Sequence, residues 1–276
     1  MIKAGMETLT KMPTRILGRS PQRFISSLRR LPTILATVWG VHIFRRPLEI
    51  LRCYFQRRCP DGLIVEMRNG CQIHLTGDED DIVTLLVVMG RADYGHVPAG
   101  GVIIDVGAHL GAFTLYALMH GAGKVYSYEP DPTLQQALLK NVGENRFNEH
   151  VDAHQAAVVG SGGGEVVFYR EGNAAGHLDP YEGETGGIAV NALTLSEVVL
   201  TNQIQRVDLL KLDCEGSEYG IIFDTPKEIW DRIGCVCLEY HRGETDKIRQ
   251  RLQALGFRLT RFEPRDHRVG LMRFER

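Results

Sequence analysis

The chain reads as an α/β protein: a mostly parallel seven-stranded sheet with a late antiparallel strand, helices on both faces, and a helical arm at the N-terminus. Three observations predict it. From Gly101 onward, short apolar runs alternate with helical patterns, the rhythm of strand–helix–strand crossovers. The last two apolar runs are joined only by the polar stretch Glu263 to Arg268, too short for a crossover helix, so they pair antiparallel. The first 60 residues differ in kind, with twelve Lys and Arg against two acids (Glu7, Glu49), a net +10 in a chain whose total is −2. A length of 276 residues at 43% hydrophobic content suits one good-sized domain with an appendage.

Within the arm (1–60), Phe24, Leu28, Leu31, Leu35 and Val38 recur at helical spacing with arginines on other faces. The apolar stretch Leu31 to Phe44 is 14 residues long and interrupted by Pro32, Gly40 and His42. That is short of the roughly 18–20 needed to cross a bilayer, and no small-residue cleavage site follows. Two readings of the arm stand level. One is a basic amphipathic helix on an anionic membrane surface. The other is a helical arm packed on the acidic remainder of the chain. An organelle transit peptide ranks below both.

Pro60-Asp61-Gly62 marks a boundary, and a lead-in segment (61–98) follows. It holds a hairpin over 63–75 about Asn69-Gly70 and a helix from Asp80 to Met89. Glu79, Asp80 and Asp81 stand at that helix start, where the dipole favours acids. The domain proper (99–276) is expected to place strands at 102–106, 124–128, 151–159, 207–213, 234–240, 257–262 and 268–274. Helices are expected at 111–120, 131–144, 195–201, 217–224 and 244–255. Residues 170–187, with five glycines and a proline in eighteen positions, leave no periodic element and read as a lid or substrate loop.

The six cysteines (Cys53, Cys59, Cys71, Cys214, Cys235, Cys237) show no Cys-x-x-Cys spacing and read as buried free thiols of a reducing compartment. The expected location is the cytoplasm, peripheral to the inner face of a membrane on the first of the two readings of the arm. Nucleic acid is not an expected partner. The residues after the arm carry −12, which opposes phosphate, and no basic run interleaved with aromatics occurs outside the arm. Oligomeric state is not readable from composition.

Chemistry enters at Asp105-Val-Gly107-Ala-His109-Leu-Gly111, followed 22 positions after Gly107 by Glu129 within Tyr128-Glu-Pro130. A glycine turn lets a ligand approach bare backbone. The carboxylate at the second strand end stands at the height of a ribose and can accept from both hydroxyls. A dinucleotide fingerprint would need glycine at 109 and 112, where the chain has His109 and Ala112. Asp105 would repel a pyrophosphate but suits an ammonium. S-adenosylmethionine carries an amino acid and a sulfonium and no phosphate, so the charge pattern favours it. The second constellation is Val207-Asp-Leu-Leu-Lys-Leu-Asp-Cys-Glu-Gly-Ser-Glu218. Asp213 ends the fourth strand and points into the ligand crevice. Lys211 reads as an ion-pair partner of the nearby carboxylates, and Glu218 as an acid favoured by a helix start.

These segments, with Asn141 and Asn145, resemble the FkbM-type S-adenosylmethionine-dependent methyltransferases over about residues 80–262. The resemblance implies a Rossmann-like class I fold, S-adenosyl-L-methionine as cofactor, and O-methylation of a hydroxyl on a sugar or other small metabolite. It places Asp105, Gly107 and Gly111 at the methionine end of the cofactor and Glu129 at the ribose, with His109, Thr114, Pro130 and Asp213 completing the set. His109 stands where the family usually has asparagine. Methyl transfer from a sulfonium is an in-line displacement, so the protein supplies positioning and, for a hydroxyl, a base. The base candidates are Asp213, Glu239 and His241. His154 reads as packed, and His177, Asp179 and Tyr181 as loop residues within reach of a substrate. Asp213, Glu215 and Glu239 could offer oxygens to Mg²⁺, but Glu215 should point away from Asp213, so no metal is expected. Two alternatives remain: an N-methyltransferase, disfavoured because no Asn/Asp-Pro-Pro-Tyr stands at Asp213, and a membrane-associated nucleoside-binding protein without turnover.

Overall fold

The computed structural model describes residues 31–171, 175–178 and 186–276. Phe24 and Leu28 of the arm and Asp179 and Tyr181 of the loop lie outside the described residues. The described part of the arm forms α1 (Leu31–Gly40) and α2 (Pro47–Gln56). The predicted hairpin is present as β1 (Ile64–Glu66) and β2 (Gln72–His74), with Val65 opposite Ile73. Helix α3 (Glu79–Leu85) is capped by Asp78, whose side chain accepts from the Asp80 N–H. Its continuation over Leu86–Gly90 winds as a π-helix rather than an α-helix. Tight packing accompanies the change: a Cβ on Gly40 would lie 2.3 Å from the Gly90 carbonyl oxygen.

The domain then runs β3 (Val102–Val106), α4 (Ala112–Met119), β4 (Lys124–Tyr128), α5 (Pro132–Glu144) and β5 (Val151–His154). Next come β6 (Ala157–Val159), β7 (Gly164–Glu171), β8 (Ala175–His177), β9 (Ile188–Thr194) and α6 (Leu195–Thr201). The chain closes with β10 (Leu209–Leu212), α7 (Glu218–Asp224), α8 (Lys227–Trp230), β11 (Cys235–Tyr240), α9 (Thr245–Ala254), β12 (Arg258–Pro264) and β13 (Gly270–Glu275). Seven strands form the main sheet in the order β12-β13-β11-β10-β3-β4-β5. Pairing is parallel from β5 to β11, and β13 lies antiparallel between β11 and β12, as the short connection predicted.

Alternate residues of each strand enter opposite cores. Ile103, Leu209, Cys235 and Cys237 pack with Leu115 and Leu138 on one face; Ile104, Leu210, Val236 and Leu238 pack with Val198, Ile222, Trp230 and Ile248 on the other. A period of two in a strand buried on both faces makes both sets apolar. Phe44, Ile50 and Cys53 from the arm join the first core. All six cysteines are free. Among the described residues no helix is long and apolar enough to cross a membrane.

The largest departure from the sequence reading follows β5. The predicted strand 151–159 breaks after His154: the Ala156 N–H turns back to the His154 carbonyl, and β6 leaves the main sheet. It joins a second sheet in the order β6-β9-β7-β8. Part of the predicted irregular segment 170–187 belongs to it, with Arg170 and Glu171 in β7 and Ala175–His177 in β8. Gly176 is required there by packing, since a Cβ would sit 2.1 Å from Phe168 Cζ. Gly176, which read as a loop glycine, thus makes room for an aromatic ring.

Candidate active site

The strand order reverses at β3, whose parallel neighbours β4 and β10 lead away in opposite directions, and crevices form at the carboxyl ends of strands at such a point. Here it is a cleft of about 910 Å³ of empty space, mouth included. Gly107, His109, Glu129, Pro130 and Asp213 line it; Asp105, Gly111 and Thr114 stand behind its wall.

Gly107 adopts φ +74°, and a Cβ there would lie 1.7 Å from the Asp213 carbonyl oxygen. Only glycine lets the β3 turn and the end of β10 touch. Asp105 is fully buried; it accepts from Thr114 Oγ1 at 2.8 Å and faces Lys211 Nζ at 3.1 Å. Lys211 in turn donates to the Gly107 carbonyl at 2.6 Å. Its ammonium lies 5.6 Å from the Tyr94 ring centre and 3.7 Å from Asp213 Oδ2. Burial works against the lysine charge, but Asp105 and Asp213 more than offset it and its pKa is raised. The predicted ion-pair role therefore gains a purpose: Lys211 fastens the glycine turn from beneath. Gly111, at φ +89°, begins α4 against Leu138.

Glu129 is 5% exposed. Its Oε2 accepts from the His109 N–H at 2.7 Å and its Oε1 from the Asp131 N–H at 2.9 Å. Burial pushes its pKa up to about 7, a rise the two backbone donors offset only in part. Asp131 caps α5 through the Thr133 and Leu134 N–H groups and is ion-paired with Arg170 of β7. The second sheet is thereby tied over the cleft, and Phe168, Gly176 and Leu178 form part of its lining. Asn141 accepts from the His74 N–H at 2.7 Å and donates to the Leu110 carbonyl at 2.9 Å, joining hairpin, turn and α5. His154 stacks on Tyr128, with ring centres 4.9 Å apart, and His177 stacks on Tyr169.

The second constellation gathers around His241. Tyr94 Oη donates to Asp213 Oδ2 at 2.5 Å. Burial alone would raise the Asp213 pKa, yet Lys211, His241 and the tyrosine bond bring it below the usual carboxylate value. Glu239, ion-paired with Arg265, is pushed up to about 7 by burial and by Asp213. His241 is bonded through Nδ1 to Glu218 Oε1 at 2.9 Å. Its Nε2 lies 3.4 Å from Glu215 Oε2 and 3.8 Å from both Asp213 Oδ1 and Glu239 Oε1. Burial opposes its charge, but the Glu218 bond and the surrounding carboxylates lift its pKa to about 10.

Two expectations change here. Glu218 is not merely an acid at a helix start: it is fully buried and closes the turn by accepting from the Cys214 and Gly216 N–H groups at 3.0 and 2.8 Å. Glu215 does not point away from Asp213; both carboxylates reach the same imidazole nitrogen. Tyr94, Arg170 and Arg265 had no sequence signal, whereas Asp131 had one, an Asp-Pro-Thr start before an apolar helix.

A model of the methyltransferase FkbM domain matches residues 105–259. Methyltransferase sdnD of Sordaria araneosa is 27% identical over 206 residues, covering 61% of this chain and 78% of that protein. The 31-O-demethyl-FK506 methyltransferase FkbM of Streptomyces tacrolimicus is 29% identical over 173 residues, covering 51% of this chain and 66% of that protein. The solved structure of the tRNA methyltransferase TrmK of B. subtilis, at 15% identity, covers 67% of this chain and 64% of its own with a TM-score of 0.41, a likeness too loose to argue from.

Proposed function

Because the chain belongs to the FkbM methyltransferase family, we propose that it transfers the methyl group of S-adenosylmethionine to a hydroxyl oxygen of a sugar or other small metabolite. The observation that carries the reading is Glu129. It is a buried carboxylate on the cleft wall whose two backbone donors leave its burial uncompensated, and a pair of ribose hydroxyls would supply the missing hydrogen bonds. Gly107 adds a stretch of wall without a side chain. Asp105 is occupied by Lys211, so the acid on the cleft lining that would meet an ammonium is Glu215.

The cofactor, when bound, supplies a methyl group already activated by a sulfonium. The chain's own residues position, exclude water and accept a proton. Tyr94, Phe113, Phe168 and Leu178 make one part of the cleft apolar, which strengthens every charge interaction inside it. Of the three base candidates, Asp213 alone lines the cleft. His241 lies off the lining, and its raised pKa makes it a poor acceptor of a further proton. Glu239 stands behind it, off the lining. Asp213, its other oxygen held by Tyr94, is the group that takes the hydroxyl proton. No Asn/Asp-Pro-Pro-Tyr stands at Asp213, which supports oxygen over nitrogen as the acceptor atom.

The test is titration calorimetry with S-adenosylhomocysteine on the wild type and on Glu129→Ala, with NAD as control. Binding that weakens at least tenfold in the variant supports the reading. Absence of binding, or a preference for NAD, overturns it.

A further inference from the structure

Around His241 Nε2 stand more carboxylate oxygens than one N–H can bond: Glu215 Oε2 at 3.4 Å, within hydrogen-bond reach, and Asp213 Oδ1 and Glu239 Oε1 farther out. The Nε2 distances of 3.8 Å to Asp213 Oδ1 and to Glu239 Oε1 are too long for hydrogen bonds. Two ligands each about 2.1 Å from a shared metal ion, by contrast, stand roughly 3 to 4.2 Å apart. One ligand atom from each of Asp213, Glu239 and His241 lies within 4.8 Å of the other two. The imidazole is also aimed as metal-bound histidines are: its Nδ1 is engaged by Glu218, a carboxylate that is fully buried, leaving Nε2 toward the other acids. Charge points the same way. Asp213, Glu218 and Glu239, with the exposed Glu215, converge on this one imidazole. Carboxylates gathered this closely repel one another and favour a cation among them.

We infer that Asp213, Glu239 and His241 bind one divalent metal ion beside the cleft, with Glu215 within reach as a further oxygen ligand. One imidazole with carboxylates and no thiolate suits Mn²⁺ or Mg²⁺. Asp213 and Glu215 line the cleft, so open coordination positions face the acceptor. Resting on the O-methyltransferase reading, this defines the acceptor class as a hydroxyl beside a second oxygen donor, such as a vicinal diol or a 2-hydroxy acid. A bound ion would polarise that hydroxyl, so that less is asked of Asp213 as base.

The experiment follows free Mn²⁺ by electron paramagnetic resonance during titration into the chelator-treated full chain. One ion per chain is expected. His241→Asn and Glu239→Gln should each weaken it at least tenfold, and Glu218→Gln, which touches no ion, by about 10–100-fold. Near-ultraviolet circular dichroism checks that the variants are folded. Glu129→Gln should keep the ion while losing S-adenosylhomocysteine, which separates failure of the metal site from failure of the donor reading. No binding to the wild type at about 1 mM Mn²⁺ overturns the inference whatever the variants do. Undiminished binding in both ligand variants also overturns it.

Discussion

Glu129 is held near pH 7 by its own burial, and the sign of its pH dependence follows. Its folded pKa of about 7 lies above the ordinary 4.5. Between those values the folded chain binds more protons than the unfolded chain, so this residue's contribution to stability falls as pH rises. Glu129→Gln should therefore stabilise the ligand-free protein at pH ~8, by up to the order of 3 kcal/mol, and do nothing near pH ~4.5. Ribose hydroxyls favour the ionised form, so affinity for S-adenosylhomocysteine should climb with pH through about 7 and lose that dependence in the variant. Calorimetry across pH checks both. Lys211→Met removes the buried cation beside Asp105 and should cost about 3–5 kcal/mol in denaturant unfolding, with partial recovery on adding Asp105→Asn. Glu129 and Lys211 were legible in the sequence because each sits at the end of its own apolar run. Tyr94 and Arg265 were not, since each lies in a segment whose neighbours carry no period.

At the scale of elements, the second sheet is what makes the cleft a closed place. Strands β7 and β8 reach over it, and Arg170 pins β7 to the start of α5 through Asp131. Gly176 and Phe168 share one volume, and both line the cleft. Gly176→Ala should push the Phe168 ring into the cleft, at about 1–3 kcal/mol of overpacking. The expected outcome is a folded protein that binds S-adenosylhomocysteine several-fold more weakly. Unchanged affinity with an unchanged melting temperature would show that the ring does not bound the ligand space. These strands were illegible because β8 is only three residues long within a glycine-rich stretch and β7 takes its other partner, β9, from a separate segment. Thr194 and Glu197, by contrast, form a capping box at the start of α6, and the sequence placed that helix at the observed 195–201. Local hydrogen bonds can be read from a string of residues; a sheet assembled from distant short strands cannot.

Over the whole molecule, charge and exposed apolar surface coincide at the N-terminal helices. Trp39 and Leu48 are each 79% exposed, and Leu35 and Phe55 also face outward, near Arg45, Arg46 and Arg52 in a segment of net +10. The expected outcome is that the full chain sediments with phosphatidylserine vesicles and not with phosphatidylcholine alone, and that Trp39→Ala with Leu48→Ala at least halves the bound fraction. Equal sedimentation of the variant would move the attachment elsewhere. What the sequence by itself determined was the central sheet, its antiparallel edge, the glycine turn and Glu129. All of these come from contiguous runs in which period and terminal residue are adjacent in the chain. What only the tertiary structure decided was which acids face the cleft, that Lys211 spends Asp105, and that Asp213, Glu215, Glu218 and Glu239 surround one imidazole. Those relations join the ends of separate strands and loops, and the strand order that brings them together is written in packing rather than in any single stretch of residues.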